Sequence, residues 1–296
     1  MIVIAQPQAS EAVELHMLDD PQSGLEGVIA IHSRTLGPAA GGCRMWHYGT
    51  RSDLVADAQR LAQGMSYKNA LAGLPLGGGK AVLRRPEHAF DRAQLFAAFG
   101  RAVERLKGAY VTAEDVGTSV ADMTAVAQQT RHVAGLARDG GRPGGDPSPW
   151  TARGVFEAMD VAAQKRLGST LAGLTIAVQG LGHVGFALCG LLHAAGAKLV
   201  VADPREGVAS SAGRLFDARV ASPDAILAEQ ADIVAPCALG AVINALSIPA
   251  LKASIICGAA NNQLAHPDDA QRLMERGILY VPDYAANAGG IINVAA

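Results

Sequence analysis

Apolar and polar residues follow two different periodicities along the first half of the chain. Continuous apolar runs predict buried strands, and apolar residues spaced three or four apart predict amphipathic helices. In order, the pattern predicts a strand at 28–32, a helix at 53–65 with Ser52 as its N-cap, a helix at 90–106, a strand at 109–112 and a helix at 120–129. These elements predict a first α/β unit over roughly residues 1–135.

A second unit follows a segment rich in glycine and proline. Residues 140–149 read GGRPGGDPSP, a composition typical of linkers, and we predict a linker at 136–150. Beyond it the pattern predicts a helix at 151–166, a strand at 175–179, a helix at 183–195 and a strand at 198–202. Both halves of the chain therefore predict the α/β fold class.

Composition and charge exclude several classes of protein. The 296 residues are 50% hydrophobic and carry a net charge of −2, which predicts a folded core and no dedicated nucleic-acid binding. Four cysteines far apart form no CxxC pair and predict reduced thiols in a cytoplasmic protein. The N-terminus lacks the basic region of a signal peptide, and Lys198 and glycines break the apolar stretch at 180–202, so no membrane segment is expected.

A glycine turn in the second half predicts a nucleotide site. Gly180, Gly182 and Gly185 form a GxGxxG that directly follows one predicted strand and opens a helix. In that context the glycines permit a tight turn, close approach of a pyrophosphate and helix–sheet contact. Asp203 ends the next strand, where a carboxylate binds the ribose hydroxyls and favours NAD over NADP, although Arg205 stands nearby. The alternative is a packing turn that binds no nucleotide.

Two lysines of the first unit are candidates for chemistry: Lys68 in MSYKNA and Lys80 after three glycines. The second is not a phosphate-binding loop, because Leu74 and Ala81 stand where that motif needs glycine and serine or threonine. Beside another cation in a cleft of low dielectric, the pKa of such a lysine would fall from about 10.4 toward neutrality and make it a usable base. The alternative for each lysine is a solvated surface residue.

Polar residues that follow predicted strands are further candidates. Asp115 comes soon after the strand at 109–112, where α/β proteins often place chemistry, or it is the N-cap of the next helix. Asn261 and Asn262 follow an apolar strand at 254–260 and suit recognition of a carboxylate or carboxamide, or they are simple turn residues. The histidines and cysteines show no metal-ligand spacing, so no catalytic metal is predicted.

Seven ordered blocks of sequence resemble one family. They are LGPAAGGCRM at 36–45, GMSYKNA at 64–70, GGGK at 77–80, TAEDVGT at 112–118, PCALGA at 236–241, ANNQL at 260–264 and DYAANAGG at 283–290. The blocks resemble the amino-acid dehydrogenase family of glutamate, leucine, phenylalanine and valine dehydrogenases. The resemblance implies NAD-dependent, reversible oxidative deamination of an apolar L-amino acid, branched-chain or aromatic, to the 2-oxo acid and ammonia.

The resemblance also implies roles in catalysis. Lys68 would bind the substrate α-carboxylate, together with Asn262 and the backbone at Gly41-Gly42. Lys80 would be the general base that acts on the amino group and on the attacking water. Asp115 would relay protons to the amine or carbinolamine.

Implied cofactor and pocket contacts come from both halves of the chain. Thr151 would hold the nicotinamide carboxamide and Asp203 the adenosine ribose. The other implied cofactor contacts are Gly180, Gly182, His183, Val184, Gly185, Cys237, Ala238 and Asn261. The implied substrate side-chain contacts are Ala40, Met65, Ala113, Ile291 and Val294. Ala40 stands where leucine dehydrogenases carry leucine, so we expect room for a larger substrate side chain.

The implied architecture is an N-terminal α/β domain for substrate binding and oligomerisation and a C-terminal Rossmann domain, with a cleft between them. We expect the first domain at 1–135, the second at 151–285 and a segment at 286–296 that returns toward the first. The family continues beyond this point, so a C-terminally short member is expected, assembled as a homodimer or larger. Two other functions stay open: an enzyme of secondary metabolism on the same scaffold that couples 2-oxo acids, and a non-catalytic nucleotide-binding paralogue.

Overall fold

The computed structural model of the chain describes residues 12–136 and 146–295. The chain divides into two units, with the boundary between Asp146 and Pro147. The predicted linker at 136–150 lies mostly outside the described residues, and the predicted domain limits stay predictions.

The first unit is built on a mixed sheet. Its elements are β1 (Glu14–Asp20), β2 (Leu25–Ser33), β3 (Ala39–Ala40), β4 (Cys43–Trp46), α1 (Arg51–Leu71), β5 (Gly77–Arg84), α2 (Arg92–Arg105), β6 (Tyr110–Val111) and α3 (Val120–Ala127). The sheet order is β1-β2-β5-β3-β6, and β4 also pairs with β5. β2 is antiparallel to both β1 and β5, whereas β3 and β4 are parallel to β5 and β3 is parallel to β6.

Helices cover both faces of this sheet, which explains the uninterrupted apolar run in β2. Val28 and Ala30 pack in a cluster with residues of α1, such as Leu54, on one face. Ile29 and Ile31 point the other way and pack with residues of α2 and α3. Because successive side chains of a strand alternate between faces, a strand that is buried on both sides must be apolar throughout.

The structure differs from several predictions for the first unit, and α1 extends six residues beyond its predicted end at 65. The N-cap of α1 is Thr50, whose side chain accepts a hydrogen bond from Asp53 N, so the prediction of Ser52 is wrong. Gly77 to Gly79, the three glycines before Lys80, begin β5 and are buried. The glycines permit α1 to approach β5: a Cβ on Gly78 would lie 2.5 Å from Ala62 O and closer still to Ser66.

The second unit has a parallel sheet with helices between its strands. Its elements are α4 (Ser148–Leu167), β7 (Thr175–Gln179), α5 (His183–Ala194), β8 (Lys198–Ala202), α6 (Glu206–Leu215), β9 (Arg219–Val220), β10 (Ile233–Pro236), β11 (Ile255–Ile256), α7 (Asp269–Glu275), β12 (Leu279–Tyr280), α8 (Asp283–Ala286) and α9 (Gly289–Ala295). The sheet order is β12-β11-β10-β7-β8-β9, and every pairing is parallel. This is the strand order of a dinucleotide-binding Rossmann fold and confirms the predicted fold class.

Helix limits in this unit agree with the sequence to within a few residues. α5 begins at His183 as predicted, whereas α4 begins at Ser148, three residues before its predicted start. Pro149 stands in the first turn of α4, where a missing N–H removes no intrahelical hydrogen bond. The predicted strand at 254–260 is reduced to Ile255–Ile256 in the structure.

Candidate functional site

Strand β5 carries Lys80 into the interior of the first unit. The residue is 3% exposed, and its Nζ lies 2.6 Å from Asp115 Oδ2. Lys68, on α1, is 8% exposed. The interpretation of these lysines as solvated surface residues is therefore wrong. Lys80 contacts the carboxylate of Asp115, whereas a second cation beside the lysine was expected from the sequence.

Asp115 lies between two cations. Arg44 Nε lies 3.4 Å from the same Oδ2 oxygen that Lys80 Nζ contacts at 2.6 Å. Burial alone would raise the pKa of the Asp115 carboxyl, but the charges of Lys80 and Arg44 hold that pKa well below its usual range. The aspartate is therefore ionised at neutral pH and forms a buried ion pair with Lys80.

A short turn fixes the position of Asp115. Its backbone N–H donates to Thr118 Oγ1 at 2.9 Å, and the Thr118 hydroxyl reaches Cys43 O at 2.9 Å. The alternative role of Asp115 as a helix cap is wrong, because Ser119 caps α3 in a capping box with Asp122. Thr118, which immediately precedes the N-cap of α3, thus connects the backbone of Asp115 to β4 by hydrogen bonds.

Three polar residues that the sequence analysis missed complete this cluster. Arg44 Nη1 donates to Asp57 Oδ2 at 3.0 Å, and Tyr48 Oη donates to the same oxygen at 2.6 Å. Arg44 is therefore held between the carboxylates of Asp57 and Asp115. The available signal was an arginine inside the otherwise apolar segment Cys43–Trp46, since a buried arginine requires paired carboxylates.

The predicted substrate-binding glycines pack against this cluster. A Cβ on Gly42 would lie 2.7 Å from Asp115 Cβ, and one on Gly41 would lie 3.1 Å from Met65 Cγ. Tyr110 Oη donates to Gly41 O at 2.6 Å and holds the segment that follows Ala40. The first unit therefore brings Gly41, Gly42, Met65, Lys80 and Asp115 into one region.

Ala113 and Ala40 adjoin the same region through the backbone. Cys43 N donates to Ala113 O at 2.8 Å, immediately after the Gly41-Gly42 segment. Ala40 ends β3 and is buried. Backbone groups and small side chains thus surround the polar cluster.

The glycine turn of the second unit has the geometry of a pyrophosphate cradle. Gly180 has φ +91°, which favours glycine, and a Cβ on Gly185 would overlap the Gly180 carbonyl and lie 3.2 Å from Cys237 Cβ. A Cβ on Gly182 would meet nothing within 4 Å, so open space lies in front of the turn. His183 and Val184 follow as the first residues of α5. These are the three roles that a dinucleotide-binding turn assigns to its glycines.

Asp203 lies beside this turn at the end of β8. Its Oδ2 accepts a hydrogen bond from Leu181 N at 2.8 Å, and its Oδ1 accepts one from Arg205 Nε at 2.8 Å. The hydrogen bonds from Arg205 lower the pKa of Asp203 to about 2. The carboxylate of Asp203, at the predicted ribose position, is therefore paired with the guanidinium of Arg205.

The remaining predicted cofactor contacts occupy three places in the second unit. Thr151 lies in the first turn of α4 and donates its hydroxyl to Pro147 O at 3.0 Å. Cys237 follows β10, and burial raises the pKa of its thiol to about 12. Ala238 packs on the glycine turn, with its Cα 2.9 Å from a Cβ built on Gly180. Asn261 Oδ1 accepts a hydrogen bond from Asn287 Nδ2 at 2.9 Å.

Asn262 is a turn residue, one of the two alternatives that the sequence left open, and its role toward a substrate stays a prediction. Its φ of +52° is that of a turn residue, and its backbone N–H donates to Asp283 Oδ2 at 2.9 Å. Its Nδ2 is buried and hydrogen-bonds no group within the described residues. Ile291 and Val294 lie in α9.

Two classes of feature are not found in residues 12–136 and 146–295. No three histidine, cysteine, aspartate or glutamate side chains there are grouped so that they hold a metal ion. No helix in that part of the chain has both the length and the apolar composition to span a membrane.

Comparisons with known proteins identify the family. Residues 8–132 match the family model described as Glu/Leu/Phe/Val dehydrogenase, dimerisation domain. Residues 140–218 and 215–295 match the model described as Glutamate/Leucine/Phenylalanine/Valine dehydrogenase. Together the two models cover nearly the whole chain.

Individual relatives give the same result. The leucine dehydrogenase of Geobacillus stearothermophilus is 50% identical over 277 residues, 93% of this chain and 75% of the relative. The valine dehydrogenase of Streptomyces albus is 48% identical over 283 residues, 94% of this chain and 78% of the relative. A solved structure of L-tryptophan dehydrogenase from Nostoc punctiforme matches with a TM-score of 0.72 and 41% identity, over 95% of this chain and 80% of that one. These matches confirm the predicted family and enzyme class, and the chain belongs to the glutamate, leucine, phenylalanine and valine dehydrogenase family of amino-acid dehydrogenases.

Proposed function

We propose that the chain catalyses the NAD-dependent, reversible oxidative deamination of an apolar L-amino acid to its 2-oxo acid and ammonia. The observation that carries this proposal is the buried ion pair of Lys80 and Asp115, 2.6 Å apart, in a unit that also buries Lys68. Burying charged groups is costly even when they are paired, and titratable groups perturbed by burial and by a charged partner cluster at functional sites. Relatives named leucine, valine and tryptophan dehydrogenases support an apolar substrate class, branched-chain or aromatic.

Lys80 and Asp115 would move the protons of the reaction. The ionised carboxylate of Asp115 lies 2.6 Å from Lys80 Nζ, a distance over which a proton can pass between the two groups. In the deamination direction Lys80 would act as the base on the substrate amino group and on the attacking water. Asp115, in contact with Lys80 Nζ, would relay protons to the amine or carbinolamine.

Lys68 would bind the substrate α-carboxylate, with the backbone of Gly41-Gly42 and the Nδ2 donor of Asn262. The substrate side chain would contact Ala40, Met65, Ala113, Ile291 and Val294. Ala40 has a small side chain in a buried position, so Ala40→Leu should shift preference toward branched aliphatic substrates. Unchanged relative kcat/KM for phenylalanine and leucine would refute that assignment.

Family membership implies a nicotinamide cofactor, and we propose NAD as its physiological form. When bound, the cofactor accepts a hydride from the substrate Cα. Gly180, Gly182, Gly185 and the first residues of α5 would hold its pyrophosphate, because the turn leaves open space in front of Gly182. Asp203 would face the adenosine ribose, Thr151 the nicotinamide carboxamide, and Cys237, Ala238 and Asn261 the rest of the cofactor.

We also propose that the chain assembles as a homodimer or larger homo-oligomer through its first unit. Two observations support this: the matched family model is described as a dimerisation domain, and the outer strand β1 exposes Leu15 and Met17. A cytoplasmic location stays a prediction from the sequence.

NADH formation from a panel of L-amino acids tests the proposed reaction. The wild-type chain should form NADH with branched-chain or aromatic amino acids, and Lys80→Met should lower kcat by about 10²- to 10⁴-fold. Lys165→Met is the matched control, because Lys165 is exposed on α4 and should leave kcat unchanged. Absence of NADH with every apolar amino acid, or equal activity of Lys80→Met and wild type, would overturn the proposal.

A further inference from the structure

The adenosine-ribose end of the nucleotide turn contains an ion pair that the proposed function does not require. Asp203 Oδ1 accepts hydrogen bonds from Arg205 N at 3.0 Å and Nε at 2.8 Å. Asp203 Oδ2 accepts one from Arg205 Nη2 at 2.9 Å, in addition to the bond from Leu181 N. The guanidinium thus binds the carboxylate through both oxygens, in the bidentate geometry that arginine forms with carboxylates.

The same guanidinium reaches the glycine turn itself. Arg205 Nη2 also approaches Leu181 O at 3.2 Å, and Leu181 lies between two glycines of the turn. The arginine therefore lies where the nucleotide-binding backbone and the end of β8 meet, within reach of the position that an adenosine ribose takes in this fold.

The exposure of the two partners differs strongly. The Asp203 side chain is 5% exposed, whereas that of Arg205 is 60% exposed. A bound nucleotide would thus meet a guanidinium on the solvent side of a covered carboxylate. Arg205 Nη1 makes no hydrogen bond within the described part of the chain, which leaves donors for a ligand anion.

These observations change the expected discrimination between cofactors. A lone carboxylate at this position repels a 2′-phosphate, while an arginine nearby accommodates one. Here the arginine neutralises the carboxylate and remains accessible. We propose that Arg205 is a specificity-determining residue of the ribose site, and that it enables the chain to bind 2′-phosphorylated dinucleotides, the NADP class, as well as NAD. This inference rests on the proposed nucleotide site but not on the proposed substrate or reaction.

A purely structural role for Arg205 makes a different prediction. If the guanidinium only braced the glycine turn through Leu181 O, its removal would weaken both dinucleotide classes to the same extent. If it binds the 2′-phosphate, its removal weakens only the phosphorylated class. The ratio of the two affinities therefore separates the two roles.

Isothermal titration calorimetry with ADP-ribose and 2′-phospho-ADP-ribose measures this ratio without catalysis. We expect the wild-type chain to bind the two ligands within about 10-fold of each other. Arg205→Gln should weaken 2′-phospho-ADP-ribose by about 10- to 100-fold, the range for one charge-assisted hydrogen-bonded contact, and change ADP-ribose less than about 3-fold. Arg205→Lys keeps the charge and should recover part of the affinity for the phosphorylated ligand.

Arg219→Gln is the matched control. Arg219 is 57% exposed in the same unit and pairs with Glu229, so its substitution should leave both affinities unchanged. Circular dichroism of each variant checks that it is folded. An affinity of the wild-type chain for the phosphorylated ligand more than about 10³-fold below that for ADP-ribose would overturn the inference, as would equal weakening of both ligands in Arg205→Gln. Failure of the wild type to bind either ligand would instead refute the proposed nucleotide site, and this inference with it.

Discussion

A methyl group added at Gly78 tests whether the contact between β5 and α1 positions the catalytic lysines. In Gly78→Ala the new Cβ would lie 2.5 Å from Ala62 O, where ordinary contact begins at 3.4 Å, and closer still to Ser66 N and Oγ. The backbone atoms involved cannot rotate out of the way, so α1 and β5 must separate by about 0.9 Å or more. Lys68 follows Ser66 by two residues, and Lys80 follows Gly78 by two.

The expected cost follows from that displacement. Overpacking of a tight contact destabilises proteins by about 1–3 kcal/mol, and a misplacement of about 1 Å in a catalytic site costs roughly 10²-fold in rate. We therefore expect Gly78→Ala to lower both the free energy of unfolding and kcat/KM by amounts in these ranges. Urea unfolding followed by circular dichroism measures the first, and initial rates of NADH formation measure the second.

Gly207→Ala is the matched control for this substitution. Gly207 lies in α6, is exposed, and has nothing within 4 Å of a Cβ built on it. Alanine there should stabilise the helix by up to about 1 kcal/mol and leave kcat/KM unchanged. If Gly78→Ala retained wild-type stability and rate, the contact would not position the lysines, and the reasoning would be refuted.

Three further substitutions test the polar clusters. Arg44→Gln leaves Asp57 and Asp115 without their shared cation and should lower the free energy of unfolding in urea by about 3–5 kcal/mol. Arg44→Lys keeps the positive charge and should lower it less. Equal losses of stability in the two variants would contradict the role of the charge. Folding lowers the pKa of Asp203 from 3.8 to about 2, so its ionised form stabilises the fold above about pH 4 and this contribution is lost as the pH falls toward 2. Melting temperatures of Asp203→Asn should therefore fall less steeply than those of wild type across that interval, and identical slopes would refute the assignment. Ser119→Ala removes the capping box of α3 and should cost about 1 kcal/mol, whereas Ser119→Thr should cost less; a neutral effect of alanine in thermal melts would show that the cap contributes nothing.

The Rossmann half was predictable because its signals are local. The glycine turn, the strand before it and the helix after it are contiguous in sequence, and α5 begins at the predicted residue. The mixed sheet of the first unit was not predictable in the same way. Its order places β5 between β2 and β3, and such pairings depend on contacts between distant segments.

In the candidate site, too, some residues were recognisable from their local sequence, and others become meaningful only through contacts between distant segments. Lys80 and Asp115 were recognisable as unusual residues in glycine-rich or strand-end contexts, and the structure brings them into contact. Arg44 and Asp57 were not recognised, because an arginine and an aspartate acquire meaning only when burial forces them to pair. The catalytic role of Lys80 stays a prediction, and its place in a strand was not predicted, because successive glycines are uncommon in strands and here begin β5.

The lengths of the outer strands bear on how the folded chain resists aggregation. The sheet of the second unit ends in β12 and β9, which have two residues each and therefore offer few unpaired backbone groups to another strand. The sheet of the first unit ends on one side in β1, which has seven residues. A long outer strand is a template for pairing with a foreign strand, whereas a short one is not. In a protomer whose β1 edge is not covered by a partner copy, strand-mediated aggregation is therefore expected to begin at β1, and a charged residue in place of Met17 is the substitution that should suppress it.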